Sequence, residues 1–202
     1  MTASVLTHAT DQEEPFRSLR GHALHIRPLS PGDREDLAQF VRALSPRSRR
    51  LRFFSPLKNL DPARLEHFID LDFHDRAAFV ATLDGVPGVQ AVGRYERTTP
   101  DSAEVAFSVA DELQGEGIGT ELLDHLAAHA RHQGITNFTA YVLLENQQMF
   151  EVFRHCGYPM SAEYQAGVSL VTLALGDEAR TRAGHRYRSG RASPVSGRPT
   201  HG

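Results

Sequence analysis

Six residues, Gln114-Gly115-Glu116-Gly117-Ile118-Gly119, constrain this 202-residue chain more than any other feature. They lie between a run of β-forming residues, Glu104 to Val109, and a run with helical periodicity, Thr120 to Gln133. A strand that passes through a glycine turn into a helix leaves the first main-chain N–H groups of that helix without acceptors. The helix dipole adds partial positive charge at the same place. The segment therefore predicts an α/β arrangement with an anion site, and a phosphate-bearing ligand to fill it.

The glycine spacing narrows the ligand. A Walker A loop requires a Gly-Lys-Ser/Thr ending, and no lysine lies here. A dinucleotide fingerprint requires a third glycine where Thr120 stands. The pattern that remains is Q-x-x-G-x-G. Taken alone, it also fits a tight turn with helix capping, because glycine is the default residue for such turns.

The length suits one domain with ragged ends. No apolar run reaches the length of a membrane span, and the N-terminus lacks a signal-peptide pattern. The lone cysteine, Cys156, excludes an internal disulfide and a multi-cysteine metal site, and points to a reducing cytoplasm. The net charge of −3 is uneven. Residues 179–202 hold six arginines and no acid, which leaves the remainder at about −9 and attractive to cations. Three segments are expected: a loosely ordered residue 1–21 stretch, a folded domain over 22–176, and a disordered, solvated Arg-rich tail over 177–202. Neither a membrane nor a nucleic acid is the expected partner.

The body reads as alternating elements. A strand at Ala23–Pro28 precedes a helix start at Ser30-Pro31-Gly32-Asp33, with Leu37, Phe40, Val41 and Leu44 at helical spacing up to a stop at Ser45-Pro46. Asp61-Pro62 starts a second helix. Strands at 77–83, 89–97 and 102–110 form an antiparallel meander, with turns at 84–88 and 98–101. Ile118, Leu122, Leu126 and Ala130 stripe the helix after the glycine loop. A strand at 136–144 follows, then a helix opened by Asn146 and closed at Gly157, then strands at 158–164 and 168–175.

This order, β-α-α-β-β-β-α-β-α-β-β, together with two motifs, resembles the GNAT acyltransferases. The first motif is the loop from Gln114, similar to the family's [QR]-x-x-G-x-[GA] pyrophosphate loop. The second is Asn146-x-x-Met149-x-x-x-Phe153-x-x-x-Gly157-Tyr158. The stretch from Leu44 to Phe54 and Ala103-Glu104-Val105-Ala106-Phe107 further resemble bacterial protein-lysine acetyltransferases. The resemblance implies a mixed, mostly antiparallel sheet flanked by helices, acetyl-CoA as cosubstrate, and transfer of acetyl to a primary amine, most fittingly a protein lysine. Small amines, or acyl-CoA sensing without catalysis, are the alternatives.

The resemblance assigns cofactor contacts to Gln114, Gly115, Gly117, Ile118, Gly119, Thr120 and Asn146. It places the pantetheine arm against the backbone near Phe107 and Val109. It gives Glu104 the role of general base, in keeping with strand alternation, which sets Glu104 beside small Ala106 and Ser108. Glu96, Asp72 and Asp75 are weaker candidates. Glu116 is expected to face solvent, since a carboxylate aimed at phosphate repels it. Phe153 stands where some relatives carry a tyrosine acid, which puts a dedicated acid in doubt. Asn146 has a second reading as a helix cap. The Arg47, Arg49, Arg50 and Arg52 cluster reads as a substrate rim, a grip on the CoA 3′-phosphate, or solvated surface. His125, His129 and His132 read as packing residues rather than metal ligands, and Cys156 as apolar filler.

Overall fold

A computed structural model describes residues 14–55, 57 and 59–176. The expected Arg-rich tail and residues 1–13 lie outside the described residues. Eight strands form one sheet: β1 (Glu14–Arg17), β2 (Ala23–Pro28), β3 (Arg76–Leu83), β4 (Val86–Thr99), β5 (Ser102–Val109), β6 (Asn137–Leu143), β7 (Met160–Gln165) and β8 (Val168–Ala174). Their spatial order is β1-β2-β3-β4-β5-β6-β8-β7. Every pairing is antiparallel except β5 with β6. Among the described residues five α-helices accompany the sheet: α1 (Arg34–Ala43), α2 (Pro46–Phe53), α3 (Pro62–Ile69), α4 (Ile118–His132) and α5 (Gln147–His155).

Strand β4 sorts the helices between the two faces. Ala91, Gly93 and Tyr95 point toward α4, where a Cβ on Gly93 would lie 2.9 Å from Leu126 Cδ1 and 2.9 Å from Phe107 Cδ1. A side chain there would force the Leu126 tip and the Phe107 ring to shift. The predicted stripe of α4, Ile118, Leu122, Leu126 and Ala130, is buried to within 1%, each large side chain contributing roughly 1.5–3 kcal/mol of transfer free energy. Val92 and Arg94 point to the opposite face, under α1, α2 and α3.

Two elements depart from the sequence reading. The segment expected to be loosely ordered supplies β1, which pairs Glu14–Arg17 with Ala23–Ile26 at the sheet edge. The Ser45-Pro46 stop of α1 is also the start of α2. Ser45 accepts the Ser48 N–H at 3.1 Å and Pro46 takes the first turn. Helix α2 buries no residue fully and shows little apolar periodicity, so the pattern that reveals the other helices is missing there. Asp61 caps α3 as expected, accepting the Arg64 N–H at 2.9 Å. No helix among the described residues is long and apolar enough to cross a membrane.

Candidate active site

Strands β5 and β6 pair over only three residues: Ser102 with Asn137, Ala103 with Phe138 and Glu104 with Thr139. Beyond Glu104 they part. Ala110 donates its N–H to Gln90 on the β4 side. By alternation, the main-chain polar groups of Phe107 and Val109 face the gap. The gap opens a cavity of about 450 Å³ that runs to the glycine loop. Its walls include Glu104, Phe107, Val109, Gln114, Gly115, Gly117, Ile118, Gly119, Thr120 and Asn146. All ten residues singled out from the sequence thus meet on one surface.

The loop is built for an anion. Gly115 (φ 76°) and Gly117 (φ 84°) adopt the left-handed region, which glycine enters without strain. Gly117 is the N-cap of α4 and accepts the N–H groups of Thr120 and Glu121, both at 3.1 Å. The N–H groups of residues 115–119 find no acceptor among the described residues. Five adjacent donors at a helix start fit a diphosphate.

Supporting residues hold this loop in place. Gln114 turns its side chain to the scaffold: Nε2 donates to the Val109 carbonyl and to Ser48 Oγ, both at 3.1 Å. Ser48 Oγ donates to Asp111 at 2.6 Å, and Ser45 adds its N–H and hydroxyl at 2.8 and 2.7 Å. Burial pushes the Asp111 carboxyl up, but these bonds outweigh it and hold the group below the usual range. The start of α2 is thereby fastened to the turn after β5. Asn146 caps α5, its Oδ1 accepting the Met149 N–H at 3.2 Å, while it lines the cavity.

Glu116 corrects an expectation. It is 1% exposed rather than solvent-facing. Its carboxylate turns away from the open N–H groups and accepts from Ser18 Oγ at 2.5 Å, His22 Nδ1 at 2.8 Å and Arg20 Nη1 at 3.4 Å. Its carbonyl accepts the Leu19 N–H. The turn after β1 therefore buttresses the loop. Ser18, His22, Ser45, Ser48 and Asp111 were not found by sequence reasoning, because their partners lie 63 or more residues away.

A second, open groove of about 830 Å³ adjoins the first cavity. Phe54, Tyr141, Tyr164, Glu163 and Glu104 are among its walls. Phe54, Glu104 and Tyr141 belong to both spaces. Of the weaker base candidates, Asp72 Oδ1 accepts three main-chain N–H groups, Asp75 pairs with Arg97 at 2.7 Å, and Glu96 pairs with His67 at 3.1 Å. None of the three lines either space.

The sequence profile of the acetyltransferase (GNAT) family matches residues 45–158. The chain belongs to the GNAT acetyltransferase family. It is 33% identical to an acetyltransferase of Pseudomonas aeruginosa over 141 residues, 68% of this chain and 76% of the relative. It is 32% identical over 145 residues, 71% of its length, to the acetyltransferase Pat of Mycolicibacterium smegmatis, of which it spans only 43%. The crystal structure of the GNAT domain of S. lividans PAT superimposes with a TM-score of 0.74 at 34% identity, covering 80% of this chain and 96% of that one. The chain is thus a GNAT acyltransferase with acetyl-CoA as cosubstrate, and resembles bacterial protein acetyltransferases.

Within the GNAT frame the remaining side chains fall into place. Phe153 is 1% exposed and meets Phe107 edge-on at 6.4 Å. Cys156 is buried, with Sγ donating to the Phe153 carbonyl at 2.9 Å. Tyr158 is buried and accepts from Arg131 at 3.0 Å. His129 bonds the Tyr95 hydroxyl at 2.9 Å, and burial with the nearby His132 holds it below the usual histidine value. No cluster among the described residues could hold a metal ion. The arginine cluster divides: Arg50 pairs with Glu145, Arg49 donates to the Arg42 carbonyl, and Arg52 enters the cavity wall.

Proposed function

We propose that this chain transfers acetyl from acetyl-CoA to the side-chain amine of a protein lysine, with Glu104 as general base. The observation that carries the reading is the position of Glu104 on the shared wall of the CoA-sized cavity and the open groove. A carboxylate at that junction can take a proton from an amine on one side while the thioester waits on the other.

The groove suits a cationic alkyl chain. Glu104 and Glu163 supply negative charge, and Phe54, Tyr141 and Tyr164 supply aromatic faces that attract an ammonium. Tyr141 and Tyr164 are 54% and 68% exposed, so the groove is open enough to receive a side chain still attached to a protein. A lysine ammonium, with a pKa of about 10.4, must first lose its proton. Glu104 accepts it, directly or through one water. The amine nitrogen then bonds to the thioester carbon, and the oxyanion gathers charge near the main-chain N–H of Val109. Collapse breaks the C–S bond. The thiolate leaves with the electron pair, the second proton of the attacking nitrogen is lost to solvent, and solvent protonates the thiolate, since Phe153 has no proton to give.

The diphosphate of acetyl-CoA lies on the N–H groups of Gly115, Gly117, Ile118 and Gly119 and at Thr120. The pantetheine arm lies along Phe107 and Val109, and Gln114 and Asn146 complete the walls. Incubation of the protein with labelled acetyl-CoA, lysyl peptides, host lysate and a panel of polyamines and aminoglycosides tests the acceptor. Label on mapped lysines is expected. Turnover of small amines with silent peptides would replace the lysine reading with a small-amine one.

A further inference from the structure

Two arginines lie beside the site without a counter-ion among the described residues. Arg94 projects from β4 on the face opposite α4, paired in register with Ala106. It is 8% exposed, and its guanidinium carbon stacks 4.2 Å from the centroid of the Phe68 ring. Its Nη2 is buried without an acceptor among the described residues. Arg52 of α2 joins it in a recess whose walls also include Ala106, Ser108, Phe53 and Phe68. No described carboxylate forms an ion pair with either guanidinium; Glu104 acts on Arg52, and Glu96 on Arg94, only at longer range.

A buried guanidinium with an orphaned donor, beside a second and partly buried one, calls for an anion. The recess holds about 20 Å³, room for one water-sized group. One carboxylate oxygen fits that space, and a whole phosphate does not. Arg52, Ala106 and Ser108 also line the larger cavity, so the recess and that cavity share a wall built partly of two small side chains. The planar guanidinium fork matches a carboxylate in a bidentate manner. Burial pulls both arginines down to about 10, each aided by a second arginine, and both stay charged at neutral pH.

We infer that Arg52 and Arg94 form a carboxylate subsite that accepts the free acid end of a substrate at the reacting centre. The inference rests on the reading of the larger cavity as the acyl-CoA site. The carboxylate belongs either to a dicarboxylic acyl chain or to the acceptor beside its amine.

The test compares wild type, Arg94→Met and the less buried Arg52→Met, each first titrated with acetyl-CoA to verify a folded cofactor site. Succinyl-CoA and butyryl-CoA have acyl chains of equal carbon count and differ in the terminal carboxylate. A succinyl-to-butyryl affinity ratio that falls about 10-fold or more in both variants assigns the subsite to the acyl chain. A second arm measures KM with acetyl-CoA for acid-bearing lysyl acceptors and for their amides. A fall in that preference, with the acyl ratio unmoved, assigns the subsite to the acceptor. If the variants bind acetyl-CoA and neither ratio moves, the subsite is overturned. Failure of wild type to bind any acyl-CoA would instead remove the reading beneath it.

Discussion

Glu104 and Thr139 form the last residue pair between β5 and β6. The carboxylate therefore stands where the strands begin to separate, which is the basis for proposing it as the base. Glu104→Gln keeps the shape of the side chain but cannot take a proton. Its kcat is expected to fall roughly 10²-fold or more, with acetyl-CoA affinity changed by no more than about twofold. CoA release measured by a thiol reagent, alongside calorimetry, checks both. Equal rates in wild type and variant would remove Glu104 from the chemistry.

Asp111 sets the loop at a distance. It collects Ser45 and Ser48, and Ser48 in turn orients Gln114 on the Val109 carbonyl. Asp111→Ala leaves these donors without their acceptor and loosens α2 from the turn after β5. KM for acetyl-CoA should rise about 5- to 10-fold while kcat changes less. Steady-state kinetics at saturating acceptor measures this, and an unchanged KM would mean that the clasp does not position the cofactor.

Glu116 gives a pH signature in stability. Burial raises its pKa, but hydrogen bonds from Ser18 and His22 and the charges of His22 and Arg20 outweigh that, so the folded value is depressed below about 4.5. A depressed carboxylate stabilises the fold above its unfolded pKa, and that contribution is lost as pH falls through the folded one. Glu116→Gln should therefore lower Tm at pH 7 by roughly 2–6 °C. The gap between variant and wild type should close as the pH falls below about 4.5. Thermal melts across that range decide it; a gap independent of pH would contradict the account.

Local chemistry explains which parts could be read from the chain. The glycine loop, the α4 stripe and the Asn146 cap are signals within a few residues of one another, and the structure brings them together. The start of α2 was hidden because Ser45-Pro46 serves two helices at once and the helix that follows carries four arginines in place of an apolar stripe. Glu116 was misread because its partners come from the turn after β1, nearly a hundred positions earlier. Arg94 reads as an ordinary strand charge until the burial of its guanidinium against Phe68 is seen. Long-range polar partners leave no periodic trace, and they are what the sequence withheld.

The central claim is that main-chain N–H groups at the start of α4 hold the diphosphate of acetyl-CoA. Calorimetric titration of acetyl-CoA into wild type, Gly117→Asn and Gly117→Asp tests it most directly. Asn and Asp both tolerate the left-handed backbone that Gly117 adopts, so the pair differs mainly in charge. Saturable binding in wild type, kept in large part by Asn and weakened at least about tenfold further by Asp, is the predicted result. Equal affinity for the Asn and Asp variants, or no saturation in wild type, would contradict the account.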